Sequence, residues 1–405
     1  MKNVILITLD TLRQDALGCY VQNNILTPFI DSLQSKCLKF TKHQATGPYT
    51  QASFPGILTS SYFLDYGVPG KLSVQRTLIS EPLKHAGITT VAFHSNPYLC
   101  GFLGWNRGWD KFYDSMEEEV SPESPFIKGD VLNKKVDGWL STQYLPVSAK
   151  RLFLWVHYMD AHEPYMPPQK YIDLVDPAIK LAPEEMFKLF LDVLKRRDAT
   201  DKTKVALLRK LYEARVREVD DHIRELFGLL KKYHLLDDSS IIITSDHGDE
   251  FGEHGGLSHD DKMYAELINT PLLIYDSHRE IGETCDLVVS NVDIPPTIVS
   301  LFGLDPENNF QGHSLLPLEN YPSNGCFGEA LDQRSKRGGD IEKDVYFYRQ
   351  NDLKIIYRAN LDQWEMYDLK SDPIELNNII DSSSEASWLK NKLKLRVRRW
   401  QNKPM

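Results

Sequence analysis

The sequence predicts an α/β protein with an open, mostly parallel sheet over residues 1–320 and a small antiparallel sheet-and-helix domain over 321–405. Three observations carry that prediction. The apolar runs "NVILITL", "RLFLWVHY" and "SSIIITS" are continuous rather than alternating, as suits parallel strands covered on both faces. Helical stretches separate these runs, giving the strand, helix, strand order of an open α/β sheet. Near the C-terminus the helical rhythm stops, and "DVYFYRQNDLKIIYRANLDQWEMYDLK" reads as short antiparallel strands turning at "QND" and "ANLDQ".

Taken in order, "NVILITLD" opens the chain as a strand ending in Asp10, and "TPFIDSLQSK" follows as a helix. "GPYTQASFPGILTSSY" places a turn-rich segment before a short helix predicted over Ser53 to Ser61, with Thr50 in the loop ahead of it. "RLFLWVHYMDAHEPY" is a second strand passing through His157, Asp160 and His162. The stretch "KVALLRKLYEARVREVDDHIRELFGLLKKY" is a long amphipathic helix, and "SSIIITSDHGDEFGEHGG" a third strand ending in Asp246 and His247. "ASWLKNKLKLRVRRWQ" closes the chain as a basic amphipathic helix. No internal repeat or low-complexity linker interrupts the chain.

Composition narrows the function classes. The 47 Lys+Arg against 57 Asp+Glu leave a net charge of −10, which argues against nonspecific nucleic-acid binding and against an anionic membrane surface. An anionic substrate stays compatible, because one bound cation reverses the local field. The five cysteines, Cys19, Cys37, Cys100, Cys285 and Cys326, are scattered without a CxxC pair, which reads as reduced thiols in a cytoplasmic protein. "MKNVILITLD" enters its strand without the apolar region and cleavage site of a signal peptide, and no run approaches the roughly 18 apolar residues of a membrane span.

In open α/β sheets ligands bind beyond the carboxyl ends of the strands, so Asp10, His162, Asp246 and His247 are expected to gather there. An aspartate after one strand and an Asp-His pair after another supply oxygen and nitrogen ligands for one divalent cation, and the Thr50 hydroxyl beside them completes a set of four. Such a cation lowers a hydroxyl's pKa and holds it against phosphorus or sulfur. Two histidines, four acids and four glycines within "SDHGDEFGEHGG" are poor packing material, which favours chemistry there over a plain turn.

These residues carry a family resemblance. "NVILITLDTLRQDALGCY" with "TPFIDSLQSKCLKF" is similar to the opening of the sulfatase family of the alkaline phosphatase superfamily. "TSDHGDEFGEHGG" resembles its metal segment, "YAELINTPLLI" the strand that follows, and "VDIPPTIVSLFGL" and "WEMYDLKSDPIELNN" its late signatures. The resemblance implies an alkaline-phosphatase-like α/β/α sandwich, a small C-terminal sheet domain, and metal-assisted hydrolysis of small sulfate or phosphate esters. The family's Cys/Ser-x-Pro-Ser-Arg segment, with Thr-Gly five residues on, falls on Thr50 to Phe54 and Thr59-Ser60. Ser53, Leu58 and Thr59 match, while the cysteine, proline and arginine do not. Sulfatases of this family convert that cysteine or serine to formylglycine, whose hydrate expels sulfate through its second hydroxyl. Threonine lacks that route but can form a phosphothreonine that water hydrolyses, so the resemblance implies Thr50 as nucleophile and phosphodiester or phosphonate monoester substrates over sulfate esters.

Further assignments follow from the resemblance. His162 in "VHYMDAHEPY" is the candidate to protonate the leaving group, and His157, within its strand, is expected to be structural. His259, with Lys262 three residues on, is the candidate anion contact, and His254 is expected to position Asp246 or His247. His94 and Asn96 of "AFHSNPYLCGF" are candidate substrate contacts. Thr11 stands where the family often has a second aspartate, so one carboxylate ligand is missing; one histidine among oxygen ligands suggests Mn²⁺, Mg²⁺ or Ca²⁺ before Zn²⁺. No Asp-x-x-x-His spacing marks a second zinc site around Asp160. Two other readings stay open: a transferase passing the phospho group to an alcohol, and a degenerate fold that binds anions without catalysis.

Overall fold

The computed structural model describes residues 3–22, 24–66, 70–122, 124–144, 151–259, 262–331 and 344–401. Its main sheet takes β1 (Asn3–Leu9), β2 (Cys37–Gln44), β3 (Thr89–His94), β4 (Lys111–Tyr113), β5 (Leu152–Tyr158) and β6 (Ser239–Ser245). A two-stranded ribbon, β7 (Glu250–Phe251) and β8 (Leu257–Ser258), precedes its last members, β9 (Leu272–Asp276) and β10 (Glu283–Ser290). The spatial order is β10-β2-β9-β6-β1-β5-β3-β4. All pairings are parallel except those of β9, which runs antiparallel to both β6 and β2.

Alternate side chains of β1 show why its sequence has no polar face. Val4 and Leu6 join a core with Phe54, Ile57 and Leu58 of one helix and Ile294 and Ile298 of another. Ile5, Ile7 and Leu9 face the opposite way, against Leu208, Leu211, Val219 and Ile223 of the long Lys202–Lys232 helix. Helices thus cover both faces, and the apolar run is what burial on both sides requires. No helix among the described residues is long and apolar enough to cross a membrane.

The second sheet is an antiparallel meander of β11 (Cys326–Leu331), β12 (Asp344–Gln350), β13 (Leu353–Arg358) and β14 (Gln363–Asp368). Its turns fall where the sequence places them, and β11 adds a strand the sequence reading lacks. One face holds Leu389, Leu393 and Val397 of the closing Ala386–Gln401 helix against Tyr346, Tyr348 and Ile355. The other packs Phe347 and Ile356 on Tyr49, Ala52 and Ile268. Tyr49 is pinned further, because its hydroxyl donates to Leu331 O at 3.1 Å and accepts from Leu331 N at 3.0 Å. The small sheet therefore fixes the residue immediately before Thr50.

Candidate active site

β1 lies between β5 and β6, with Leu9 level with Tyr158 on one side and Ser245 on the other. The next residues, Asp10 and Asp246, consequently emerge side by side at the carboxyl edge. Asp10 is tied by its amide to Tyr158 O at 2.8 Å. Thr11 follows with φ 57°, a conformation that a β-branched residue adopts only under strain, and its amide lies 3.4 Å from Asp246 Oδ1. The same carboxylate oxygen accepts the His247 amide at 2.9 Å, and Ser53 Oγ donates to the Asp246 carbonyl at 2.6 Å. Asn291 Nδ2 in turn donates to Ser53 Oγ at 2.6 Å. These bonds hold one side of Asp246 and leave Oδ2 pointing into the site.

Thr50 is the first residue of a helix spanning Thr50–Thr59, three residues earlier than the sequence predicts, and it is only 4% exposed. Its hydroxyl does not cap helix amides. It lies 3.5 Å from Asp10 Oδ2 and accepts a bond from Asn96 Nδ2 at 3.1 Å, while another N–H of the same amide donates to Asp10 Oδ2 at 2.8 Å. Asn96 Oδ1 accepts the Tyr98 amide at 2.9 Å, which fixes which end of the Asn96 side chain carries the N–H groups. With Asn96 donating to Oγ1, the threonine proton is left to face Asp10 Oδ2.

Asp10, Asp246 and His247 bring one ligand atom each within 4.8 Å of the others. His247 Nε2 is 3.7 Å from Asp10 Oδ1 and 3.4 Å from Asp246 Oδ2, and all three atoms are buried without a hydrogen-bond partner. His247 Nδ1 sits 3.0 Å from the Gly248 carbonyl, which can only accept, so the proton is on Nδ1 and the Nε2 lone pair is free. Burial and the neighbouring Asp10 charge push the Asp246 carboxyl well above its usual range, and burial lowers the His247 imidazole. Burial opposes ionisation of Asp10 as well, yet His157, His162 and His247 together hold it below the ordinary carboxylate range. Two adjacent buried carboxylates and a lone pair with no proton donor between them are what a divalent cation fits. Asp10, Asp246 and His247 would hold it, with the Thr50 oxygen beside them.

Three imidazoles crowd this group. His259 lies tilted at 4.4 Å from His247 and edge-on at 5.2 Å from His162, centroid to centroid. Its Nδ1 is 2.7 Å from Asp249 Oδ1, and Tyr165 donates to the other oxygen of Asp249. Burial and the two neighbouring imidazoles lower His259 well below the usual histidine value, while burial raises Asp249 to about 6. His162 keeps its Nδ1 proton on the Glu163 carbonyl at 2.7 Å. Burial opposes its charge, but Asp10, Glu163 and Asp249 raise it. Of the site's imidazoles His162 is thus biased toward the protonated form and His247 and His259 toward the neutral form, the division of labour that acid–base work uses.

Other assignments need correction. Lys262 is not an anion contact: its ammonium bonds both oxygens of Glu250, at 2.9 and 2.7 Å, and the His254 carbonyl at 2.9 Å. His254 does not position Asp246 or His247; it binds Glu266 at 2.7 Å and stacks on Tyr264 at 3.6 Å. His94 is fully buried, 3.2 Å from Asn96 O and stacked on Trp155, so it supports the loop bearing Asn96 rather than facing a substrate. His157, expected to be structural, places Nε2 3.4 Å from Asp10 Oδ2, with Nδ1 on Thr8 Oγ1 at 2.9 Å. Its position as the penultimate residue of a central strand is the signal that could have found it. Arg13 was also missed. It is buried and joins the loops after β1 and β6 through Asp249 O at 2.8 Å and both Asp15 and Glu253 at 2.6 Å.

A family model described as Sulfatase matches residues 2–304, and one described as N-sulphoglucosamine sulphohydrolase, C-terminal, matches residues 252–403. An N-acetylglucosamine-6-O-sulfatase of Bacteroides thetaiotaomicron is 33% identical over 204 residues, which are 45% of this chain and 34% of that protein. The chain therefore matches about a third of that relative's length. Among solved structures, the phosphonate monoester hydrolase of Agrobacterium radiobacter superposes with a TM-score of 0.79 at 21% identity, covering 98% of this chain and 96% of that one. A protein solved with its substrate D-glucosamine-2-N,6-O-disulfate superposes with a TM-score of 0.81 at 23% identity, covering 100% and 99%. With the first model spanning most of the sequence, and with the sheet order and strand-end cluster described above, the chain belongs to the sulfatase family of the alkaline phosphatase superfamily.

Proposed function

We propose that the protein is a metal-dependent ester hydrolase in which Thr50 is the nucleophile, acting on phosphodiesters or phosphonate monoesters in preference to sulfate esters. The observation that carries this reading is the Thr50 hydroxyl, buried between Asp10 and Asn96 at the head of a helix instead of capping it. Asp10, Asp246 and His247 would hold a divalent cation, which would supply positive charge that favours loss of the Thr50 hydroxyl proton.

The protein's own groups then divide the steps. Asn96 holds Oγ1 by its N–H, and Asp10 Oδ2 takes the hydroxyl proton as the Thr50 Oγ–P bond forms. His162 gives its Nε2 proton to the leaving oxygen as the ester P–O bond breaks. Water next attacks phosphorus, passing a proton to the now neutral His162, while Thr50 Oγ leaves and recovers its proton from Asp10. The helix N-terminus at Thr50 favours the negative charge that collects at this spot. His259 is neutral in the free site; the negative charge of a bound substrate would raise it, so that it contacts the anion as an imidazolium with Asp249 accepting from Nδ1.

Threonine supports the phosphorus preference, because an O-sulfothreonine has no second hydroxyl through which to expel sulfate. The phosphonate monoester hydrolase neighbour is consistent with it. The test is turnover of bis(p-nitrophenyl) phosphate, p-nitrophenyl phosphate, p-nitrophenyl phenylphosphonate and p-nitrophenyl sulfate with Mn²⁺. Diester or phosphonate turnover that Thr50→Ala abolishes supports the reading; sulfate turnover that survives Thr50→Ala defeats it.

A further inference from the structure

A second cluster of ligand-bearing side chains lies behind the turn that carries His162, and the mechanism above makes no use of it. Asp160, two residues past β5, meets Glu218 and His222 from successive turns of the long helix, and one ligand atom from each falls within 4.8 Å of the others. Asp160 is fully buried, and Glu218 and His222 are each 6% exposed. Arg215 takes one side of both acids, bonding Glu218 Oε2 and lying 3.4 Å from Asp160 Oδ1. Asp160 Oδ1 also accepts the Gly129 amide at 3.1 Å.

Part of the cluster is left without partners. Asp160 Oδ2 and both ring nitrogens of His222 are buried and make no hydrogen bond. His222 Nε2 stands 3.7 Å from Asp160 Oδ1 and 3.9 Å from Glu218 Oε1, too far for a charge-assisted bond of about 2.7–2.9 Å to either. Separations of 3.7 and 3.9 Å are close to those between ligand atoms that share one ion at Zn–N and Zn–O bond lengths of about 2.0–2.2 Å. Gly129 keeps the space clear, since a Cβ there would come within 2.5 Å of His222 Cδ2 and 2.9 Å of Asp160 Oδ2. His222 Nδ1 lies 3.6 Å from Glu225 Oε2, beyond hydrogen-bond distance, and that oxygen accepts instead from Asn133 Nδ2 at 3.2 Å.

We propose that Asp160, Glu218 and His222 form a second, structural metal site for a borderline transition ion of the Zn²⁺ class. One imidazole with two carboxylates suits that class better than Ca²⁺ or Mg²⁺, which take oxygen ligands. The ion ties the turn bearing His162 to the long helix, where Arg215 Nε already holds the Asp160 carbonyl. The test is Zn²⁺ content by elemental analysis after the full chain is stripped with chelator, reloaded and desalted. His222→Gln is expected to hold one equivalent less than wild type, whatever the site at Asp246 and His247 retains, and to lose the part of the Zn²⁺-dependent rise in Tm that this ion supplies. Unchanged stoichiometry overturns the site. Anomalous diffraction at the zinc edge from wild-type crystals tests it without a variant: a peak between Asp160, Glu218 and His222 supports it, and a peak confined to the Asp246–His247 site overturns it.

Discussion

Two pairs within "SDHGDEFGEHGG", Asp246 with His247 and Glu250 with His254, have opposite fates. Asp246 and His247 present Oδ2 and Nε2 buried and unpartnered beside Asp10. Glu250 instead accepts from the amides of His254 and Gly256 at 2.9 and 2.6 Å and from Lys262, and His254 bonds Glu266. The first pair keeps a buried electrostatic debt for an ion to settle; the second settles its own. Ionisable residues in one segment therefore separate into ligands and scaffold by whether their acceptors find donors within the protein.

Removing the debt should have the largest effect. Asp246→Asn is expected to lower bound metal, read by elemental analysis, and to reduce turnover by at least about 10³-fold, with chelator treatment of wild type giving the same loss. Retained metal with lost activity would place the ligand set elsewhere. Next comes His162→Asn, expected to slow hydrolysis by about 10²–10⁴-fold for esters with poor leaving groups and much less for p-nitrophenyl esters. Equal loss on both would remove His162 from leaving-group protonation.

The scaffold pair should answer in stability instead. Glu250→Gln leaves the Lys262 ammonium without its carboxylate and should cost about 2–3 kcal/mol in urea unfolding, below the full cost of a buried pair because Lys262 is partly exposed. Its kcat should change far less than that of Asp246→Asn. The smallest effect concerns His254. Burial opposes its charge, but the hydrogen bond and charge of Glu266 raise its pKa above 6.5. The resulting stability is complete below pH 6.5 and is lost as pH rises through the raised folded value. Unfolding free energies from pH 6 to 9 should show that decline in wild type, and His254→Gln should flatten it.

Much of the site was legible because strand ends are legible. The apolar runs before Asp10 and Asp246 place both at the carboxyl edge of a central sheet, which parallel register then aligns. Thr50 was legible only through its place in the family segment, since its partners Asp10 and Asn96 lie 40 and 46 residues away in sequence. The start of its helix was misplaced because Tyr49 offers no side-chain cap and is fixed by β11 instead. Lys262 was misread for a similar reason: spacing shows that a cation can reach a cleft, not that Glu250 will take it first. β9 follows a short connection after "YAELINTP" and runs against its neighbours, a direction that apolar content alone does not encode. The Asp160 cluster was illegible because Glu218 and His222 read as the polar face of an amphipathic helix, and only packing of that helix on the sheet brings them to β5.

The central claim is the covalent role of Thr50, and trapping tests it most directly. The Mn²⁺-loaded protein is mixed with a phosphodiester or phosphonate monoester that it turns over, quenched in acid within one turnover, and digested for peptide mass spectrometry. The account predicts a phosphoryl or phosphonyl adduct on the peptide containing Thr50, absent from Thr50→Ala. An adduct on another residue, or turnover that Thr50→Ala leaves intact, would contradict it.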